Sequence, residues 1–184
     1  SVITWGNSSN GGDSSGVSTE LDGSTPVTSI YSTESAFAAV RSDGSVIAWG
    51  HGGYGGSTSG VSSDLDGTIN VTSIKASRGA FAAIRSNGSV ITWGYGSHGA
   101  NSSSVSSDID GSVEVISIAS TKQAFAALRS DGSVITWGSS NYGGDSSDVS
   151  ADLDGTVSVT SIAATDQAFA AIRADGSIVT WGHS

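Results

Sequence analysis

The sequence predicts an all-β protein built from tandem 44-residue repeats, each repeat a three-stranded antiparallel blade. Three observations predict it. The five tryptophans, Trp5, Trp49, Trp93, Trp137 and Trp181, stand 44 residues apart, and Phe37, Phe81, Phe125 and Phe169 keep the same spacing. A fixed period of that length marks a repeat architecture. Within each repeat, two apolar runs flank an Asp-Gly or Asn-Gly pair, the strongest short-range hairpin signal. Finally, 26 glycines, abundant serine and a single proline, Pro26, favour turns and short strands over long helices.

One unit, read from residue 159, shows the elements in order. The first strand is short, Val159 and Ile162 with the residues between them. The second is AFAAIR, residues 168–173, and the third is SIVTWG, residues 177–182. Asp175-Gly176 joins the last two, and Asp43-Gly44, Asn87-Gly88 and Asp131-Gly132 repeat it. This pair suits a type I′ turn, which needs positive φ at both central residues.

The rest of the unit predicts about two turns of helix, or an irregular segment pinned by two apolar residues. Asp13, Ser57, Asn101 and Asp145 share one position and are suited to N-capping. Val17/Leu21, Val61/Leu65, Val105/Ile109 and Val149/Leu153 follow at i, i+4 spacing, and Gly23, Gly67, Gly111 and Gly155 close the segment. The repeated Trp and Phe are expected to pack one unit against the next. Arg41, Arg85, Arg129 and Arg173 repeat as well, and are expected to pair with Asp22, Asp66, Asp110 and Asp154 at the loop end.

The run AFAAIRADGSIVTWG, preceded by VTSIAA, resembles the RCC1-type repeat, and WGSSNYGG looks like that family's segment after Trp-Gly. The resemblance covers half to two thirds of each unit and is nearest to the short bacterial branch, as found in large bacterial surface proteins. It implies three-stranded blades of an RCC1-like β-propeller. The departures are Thr33/Ala36, Ser77/Ala80, Thr121/Ala124 and Thr165/Ala168, where the family has Gly and His, and a missing outer fourth strand. The nucleotide-exchange and chromatin role of the eukaryotic members does not carry over, because fold does not confer function.

The domain organisation is a single array over residues 1–184. A partial unit at 1–6 precedes units at about 7–50, 51–94, 95–138 and 139–182. Third strands therefore occur five times, at residues 1–6, 45–50, 89–94, 133–138 and 177–182, but the other two strands only four times. A piece of a longer array, a ring closed by strand exchange, and an open superhelical array or filament that pairs head to tail through terminal strands all fit this count.

Composition excludes several functions. The net charge of −10 repels phosphate backbones, so nucleic acid is not an expected partner. No apolar run approaches the roughly 18 residues of a membrane helix, so membrane insertion is not expected. Without cysteine there is no disulfide framework or thiolate site. No catalytic constellation stands out: His51, His98 and His183 lack ligand spacing, and the acidic residues either repeat or lie in loops. No cofactor is expected apart from calcium, whose weak candidates are Asp64/Asp66, Asp108/Asp110 and Asp152/Asp154 ahead of a glycine.

The informative positions are those that differ between copies. After each Trp-Gly, Asn7/Asn10, His51/Tyr54, Tyr95/His98 and Ser139/Tyr142 change within a constant frame. Asn7, Asn10, His51, Tyr54, Tyr95, His98 and Tyr142 are the candidate binding residues, since scaffold positions repeat and a loop face carries recognition. A second variable stretch, Tyr31/Glu34, Lys75/Arg78, Lys122 and Asp166, lies between the first two strands. The expected function is a non-enzymatic structural or adhesive repeat of a larger bacterial surface protein or filament, extracellular or at the cell surface. The alternative is a propeller module that binds a protein or glycan through the Tyr/His loops.

Overall fold

The computed structural model describes residues 1–183 and contains four three-stranded antiparallel sheets, each a simple meander. The first blade is β1 (Val27–Ser32), β2 (Ala36–Arg41) and β3 (Val46–Gly50). The second is β4 (Val71–Ala76), β5 (Ala80–Arg85) and β6 (Val90–Gly94), and the third is β7 (Val115–Ser120), β8 (Ala124–Arg129) and β9 (Val134–Gly138). The fourth is β10 (Val159–Ala164), β11 (Ala168–Arg173) and β12 (Ile178–Gly182). The second strand matches the AFAAIR run in every unit, and the first runs two residues longer than its apolar markers.

The core lies between blades. Successive side chains of a strand face opposite sides of its sheet. The front of blade one therefore carries Ala36, Ala38, Val40 and Val46, and these pack on Val71, Ile74, Phe81, Ala83 and Trp93 at the back of blade two, with Leu65. The same front-to-back packing joins blades two and three through Ala80, Ala82 and Ile84 against Val115, Phe125, Ala127 and Trp137. It recurs between blades three and four through Ala124, Ala126 and Leu128 against Val159, Phe169, Ala171 and Trp181. Alanine on the front lets the next sheet approach closely enough to bury the large aromatic pair behind it. Phe81 and Trp93 stack with ring centroids 5.1 Å apart, and the other three blades repeat the pair at 5.2–5.4 Å.

Several expectations are corrected. The hairpin exists in all four units, but not as a type I′ turn. Among the described residues only glycines have positive φ, so Asp43 does not, while Gly44 sits at +78°. Arg41 N–H donates to Ser45 C=O and Gly44 N–H to Arg41 C=O, which makes a three-residue loop closed by a left-handed glycine. Asp43 remains outside the left-handed region because its Oδ1 accepts from both the amide and the hydroxyl of Ser45.

Of the two readings of the loop, the irregular segment fits and the two-turn helix does not: the chain makes short 3₁₀ turns, Ser15–Val17, Ser62–Asp64, Ser103–Val105 and Ser147–Asp152, with Leu21, Leu65, Ile109 and Leu153 buried. Serine-rich chain gives little helical propensity to extend them. Asp13, Asn101 and Asp145 instead accept the amide two residues on.

The arginines pair with the other carboxylate of the Asp-x-Asp-Gly loop: Arg85 with Asp64 at 3.2 Å, Arg129 with Asp108 at 3.9 Å and Arg173 with Asp152 at 2.9 Å. Arg41, with Glu20 at that position, lies 3.7 Å from Asp43. The expected partners Asp22, Asp66, Asp110 and Asp154 each accept a backbone amide at 2.7 Å, which holds them on their own turn.

Residues 1–6 do not form the expected strand, although Val2 N–H donates to Leu21 C=O as Val46 does to Leu65. A third strand is held by its second strand, and no strand among the described residues pairs with residues 1–6. Trp5 is consequently 83% exposed and does not join the core as the other four tryptophans do.

Candidate functional site: the variable end of the array

The antiparallel register brings the two variable stretches together. Ala80 pairs with Gly94, so the turn between β4 and β5 and the loop after β6 emerge at the same end of the blade. Tyr95 N–H donates to Gly79 C=O, and His51, Ser139 and His183 make the same bond to Ser35, Gln123 and Gln167. Hydroxyls at one repeat position then pin the loops: Thr33 Oγ1 donates to Tyr54 C=O at 3.0 Å, Ser77 Oγ to His98 C=O at 2.8 Å and Thr121 Oγ1 to Tyr142 C=O at 2.9 Å. These hydroxyls are the site residues sequence reasoning missed, and their signal was a hydroxyl at one position of every unit.

Neighbouring blades are tied at this end by a chain of backbone bonds. Glu34 N–H donates to Arg78 C=O, Arg78 N–H to Lys122 C=O and Lys122 N–H to Asp166 C=O. The four side chains at this position run acid, base, base, acid. Arg78 Nε lies 2.8 Å from Glu34 and Lys122 Nζ 2.7 Å from Asp166. Each hydrogen-bonded carboxylate raises its cation's pKa, and Glu34 is lowered in return by Arg78. Both pairs are exposed to solvent, where such pairings are weak, so a partner's carboxylate can compete for either cation.

Of the candidate residues, His51, Tyr54, Tyr95 and His98 converge. Tyr54 and Tyr95 stack at 5.7 Å, His51 meets Tyr54 edge-on at 5.1 Å, and His98 meets Tyr95 edge-on at 4.7 Å. His98 is buried rather than displayed, with Nδ1 unpartnered, and desolvation followed by the Arg78 charge lowers its pKa. Gly79 makes the room: a Cβ there would lie 2.7 Å from both His98 Nδ1 and the Tyr54 ring, and the other units carry Ser35, Gln123 and Gln167 at that position. Tyr142 stands apart, half-buried against the core between the third and fourth blades. Asn7 and Asn10 are exposed, and Asn7 Oδ1 caps its own turn through Ser9 N–H.

The opposite end repeats one set of contacts in every blade, although Asn70, Glu114 and Ser158 differ beside its hairpin glycines. There each arginine Nε donates to the serine after the Asp/Asn-Gly pair, as Arg85 does to Ser89 at 2.8 Å. The calcium candidates lie at this end on separate duties, Asp64 on Arg85 and Asp66 on the Thr68 amide. Among the described residues no three His, Asp or Glu side chains converge as a metal cage. No helix among them is long and apolar enough to cross a membrane.

No profile of a known protein family matches the chain, and no curated protein does. Solved structures do. Yeast RCC1 (Prp20), in a structure with Kap60, matches with a TM-score of 0.58 at 20% identity over 85% of this chain and 43% of that one. Human WBSCR16 matches with 0.57 at 18% identity over 86% and 48%. The ectodomain of the receptor kinase CR4 from Physcomitrella patens matches with 0.56 at 19% identity over 86% and 39%. The chain thus spans less than half the length of each of these structures, and the likeness is one of fold.

Proposed function

We propose that this array of RCC1-like propeller blades is a non-enzymatic binding module that recognises a protein through its variable end. The observation that carries the reading is the segregation of the molecule into two ends. Arg-Ser-Asp/Asn contacts repeat at one, while His51, Tyr54, Tyr95, Glu34, Arg78, Lys122 and Asp166 gather at the other. Stacked, half-exposed tyrosines beside paired charges have the composition of protein-binding surfaces. The yeast relative of the same fold, characterised for its binding to Gsp1p and histones, supports a propeller of this kind acting on proteins. The charge of −10 suits a salt-rich exterior setting, and we assign the chain to the extracellular or cell-surface space.

The test immobilises the chain and identifies retained proteins and glycans. It then repeats the capture with Tyr54→Ser/Tyr95→Ser/Tyr142→Ser and with an opposite-end control, Asn87→Asp. Loss of one ligand with the first variant only supports the module, and a glycan in that role would replace the protein. Unchanged capture by both variants favours a second reading, a structural or adhesive repeat of a larger bacterial surface protein, which the near-identity of the three inter-blade interfaces supports.

A further inference from the structure

The charges of this chain are unevenly placed. Of its seven cations, Arg41, Arg85, Arg129 and Arg173 belong to the contacts repeated at the end opposite the variable loops. The other three, Lys75, Arg78 and Lys122, all stand at the variable end. Lys75 is the penultimate residue of β4, and Arg78 and Lys122 lie in the turns after β4 and β7. Glu34 and Asp166 are the carboxylates of these turns, and the remaining fifteen lie elsewhere in the chain. A chain of net charge −10 thus carries a slight excess of positive charge at one end. Such a field draws anions to that end and orients them there.

We infer that the variable end holds an acidic segment of its protein partner, with a carboxylate seated between Arg78 and Lys122. The inference rests on the binding-module reading above. Backbone pairing sets the two cations side by side, since Arg78 N–H donates to Lys122 C=O at 2.8 Å. The two side chains therefore leave backbones about 5 Å apart, the spacing of hydrogen-bonded neighbours. Their own carboxylates come from the outer turns, Glu34 to Arg78 and Asp166 to Lys122. At the centre of the row cation faces cation, and Arg78 works against the charge on Lys122. An incoming carboxylate relieves that repulsion and is attracted by both groups at once.

Both cations keep donors for it. Arg78 engages Glu34 through Nε, which leaves its two Nη groups to face a second carboxylate. Lys122 has three N–H bonds, and Asp166 Oδ2 lies 2.7 Å from its Nζ. The Tyr54 and Tyr142 phenols are near enough to Arg78 to act on its charge, and Tyr142 acts on Lys122 as well. Their hydroxyls supply further donors to the same anion. Tyr95, stacked on Tyr54 and 46% exposed, offers an apolar ring to the residue beside that carboxylate. Glu34 and Asp166 limit what fits. They admit one or two carboxylates at the centre and repel the flanks of a longer polyanion such as a sulfated polysaccharide.

Amide chemical shifts of the isotope-labelled chain test this. The probes are a capped Glu-Glu peptide, its Gln-Gln counterpart and a heparin-type oligosaccharide. The acidic peptide should move the Arg78 and Lys122 amides saturably, and less tightly as salt rises, while the Gln-Gln peptide should not. Arg78→Gln and Lys122→Gln change exposed side chains and keep the backbone bonds, and each should weaken binding severalfold. Glu34→Gln releases Arg78 and should strengthen it. The inference is overturned by the absence of a saturable shift, by an equal response to the Gln-Gln peptide, by tighter binding of the oligosaccharide, or by weaker binding in Glu34→Gln. A protein captured through the tyrosine loops and still retained by Arg78→Gln/Lys122→Gln also overturns it, and leaves the module reading intact. Peptide binding without any captured protein keeps the carboxylate site and removes the module reading.

Discussion

The indole Nε1 of Trp93 donates to the carbonyl oxygen of Gly55 at 3.0 Å, 38 residues back along the chain. Trp49, Trp137 and Trp181 make the same bond to Gly11, Gly99 and Gly143. This bond fastens each third strand to the loop that follows the preceding blade. Trp93→Phe, which keeps the ring and strands a buried carbonyl, should destabilise by about 1–3 kcal/mol. Trp93→Ala should lose about 3–5 kcal/mol. Trp5→Ala, at an exposed site, should change stability by less than about 0.5 kcal/mol. The urea midpoint of each variant checks the order.

Gly55 is held at φ +98°, and a Cβ on it would lie 2.6 Å from the Phe81 ring. Gly55→Ala therefore combines backbone strain with a clash in the core and should cost more than about 1 kcal/mol. Gly60 has ordinary φ and open space around it, so Gly60→Ala should be neutral or slightly stabilising. Thermal melts of the pair distinguish the two cases.

Gly79→Gln restores the residue of the third and fourth units and should displace Tyr54 and His98 without disturbing the blades. Near-ultraviolet circular dichroism should change while the far-ultraviolet spectrum and melting temperature are nearly retained. If a ligand is found at the variable end, its affinity should fall.

Burial, followed by the Arg78 charge, holds the His98 pKa below the ordinary histidine value. As pH falls below the ordinary histidine value, about 6.5, the unfolded chain takes up a proton that the folded chain refuses, so stability declines and then levels off once the folded histidine also titrates. A second decline belongs to the lowered carboxylates, among them Asp22, Asp66, Asp110 and Asp154, each lowered first by the amide bond on its own turn. Their contribution is present above the ordinary aspartate value and is lost as pH falls through the folded one. Melting temperature against pH should show both stages, and His98→Gln should abolish the first alone.

Asp64→Asn should weaken the pairing with Arg85, whose guanidinium is mostly buried while the carboxylate is half-exposed. The loss should be about 1 kcal/mol or less at low salt and smaller at high salt. Denaturation at two ionic strengths measures it.

Strand identity was readable because it depends on residues close in sequence. AFAAIR and the Asp-Gly pair announce the β2–β3 hairpin, and the alternation within AFAAIR assigns Ala36, Ala38 and Val40 to one face. The turn type was not readable, because Asp-Gly fits both a two-residue and a three-residue loop, and the choice rests on the hydrogen bonds of Ser45. The arginine partner was misassigned for a related reason: Asp64 and Asp66 are two residues apart, and only the fold decides which one faces Arg85.

The sequence by itself determined the repeat, the three strands of each blade, the aromatic pair at each interface and the positions free to vary. Periodicity records these directly, since a residue needed in every blade must recur every 44 positions. Tertiary structure decided which separate stretches share a surface. It joined Tyr54 to Tyr95 across two blades, buried His98 and exposed Trp5. These outcomes depend on what a neighbouring blade does or does not supply, and a side chain's burial is a property of that neighbour as much as of its own place in the repeat.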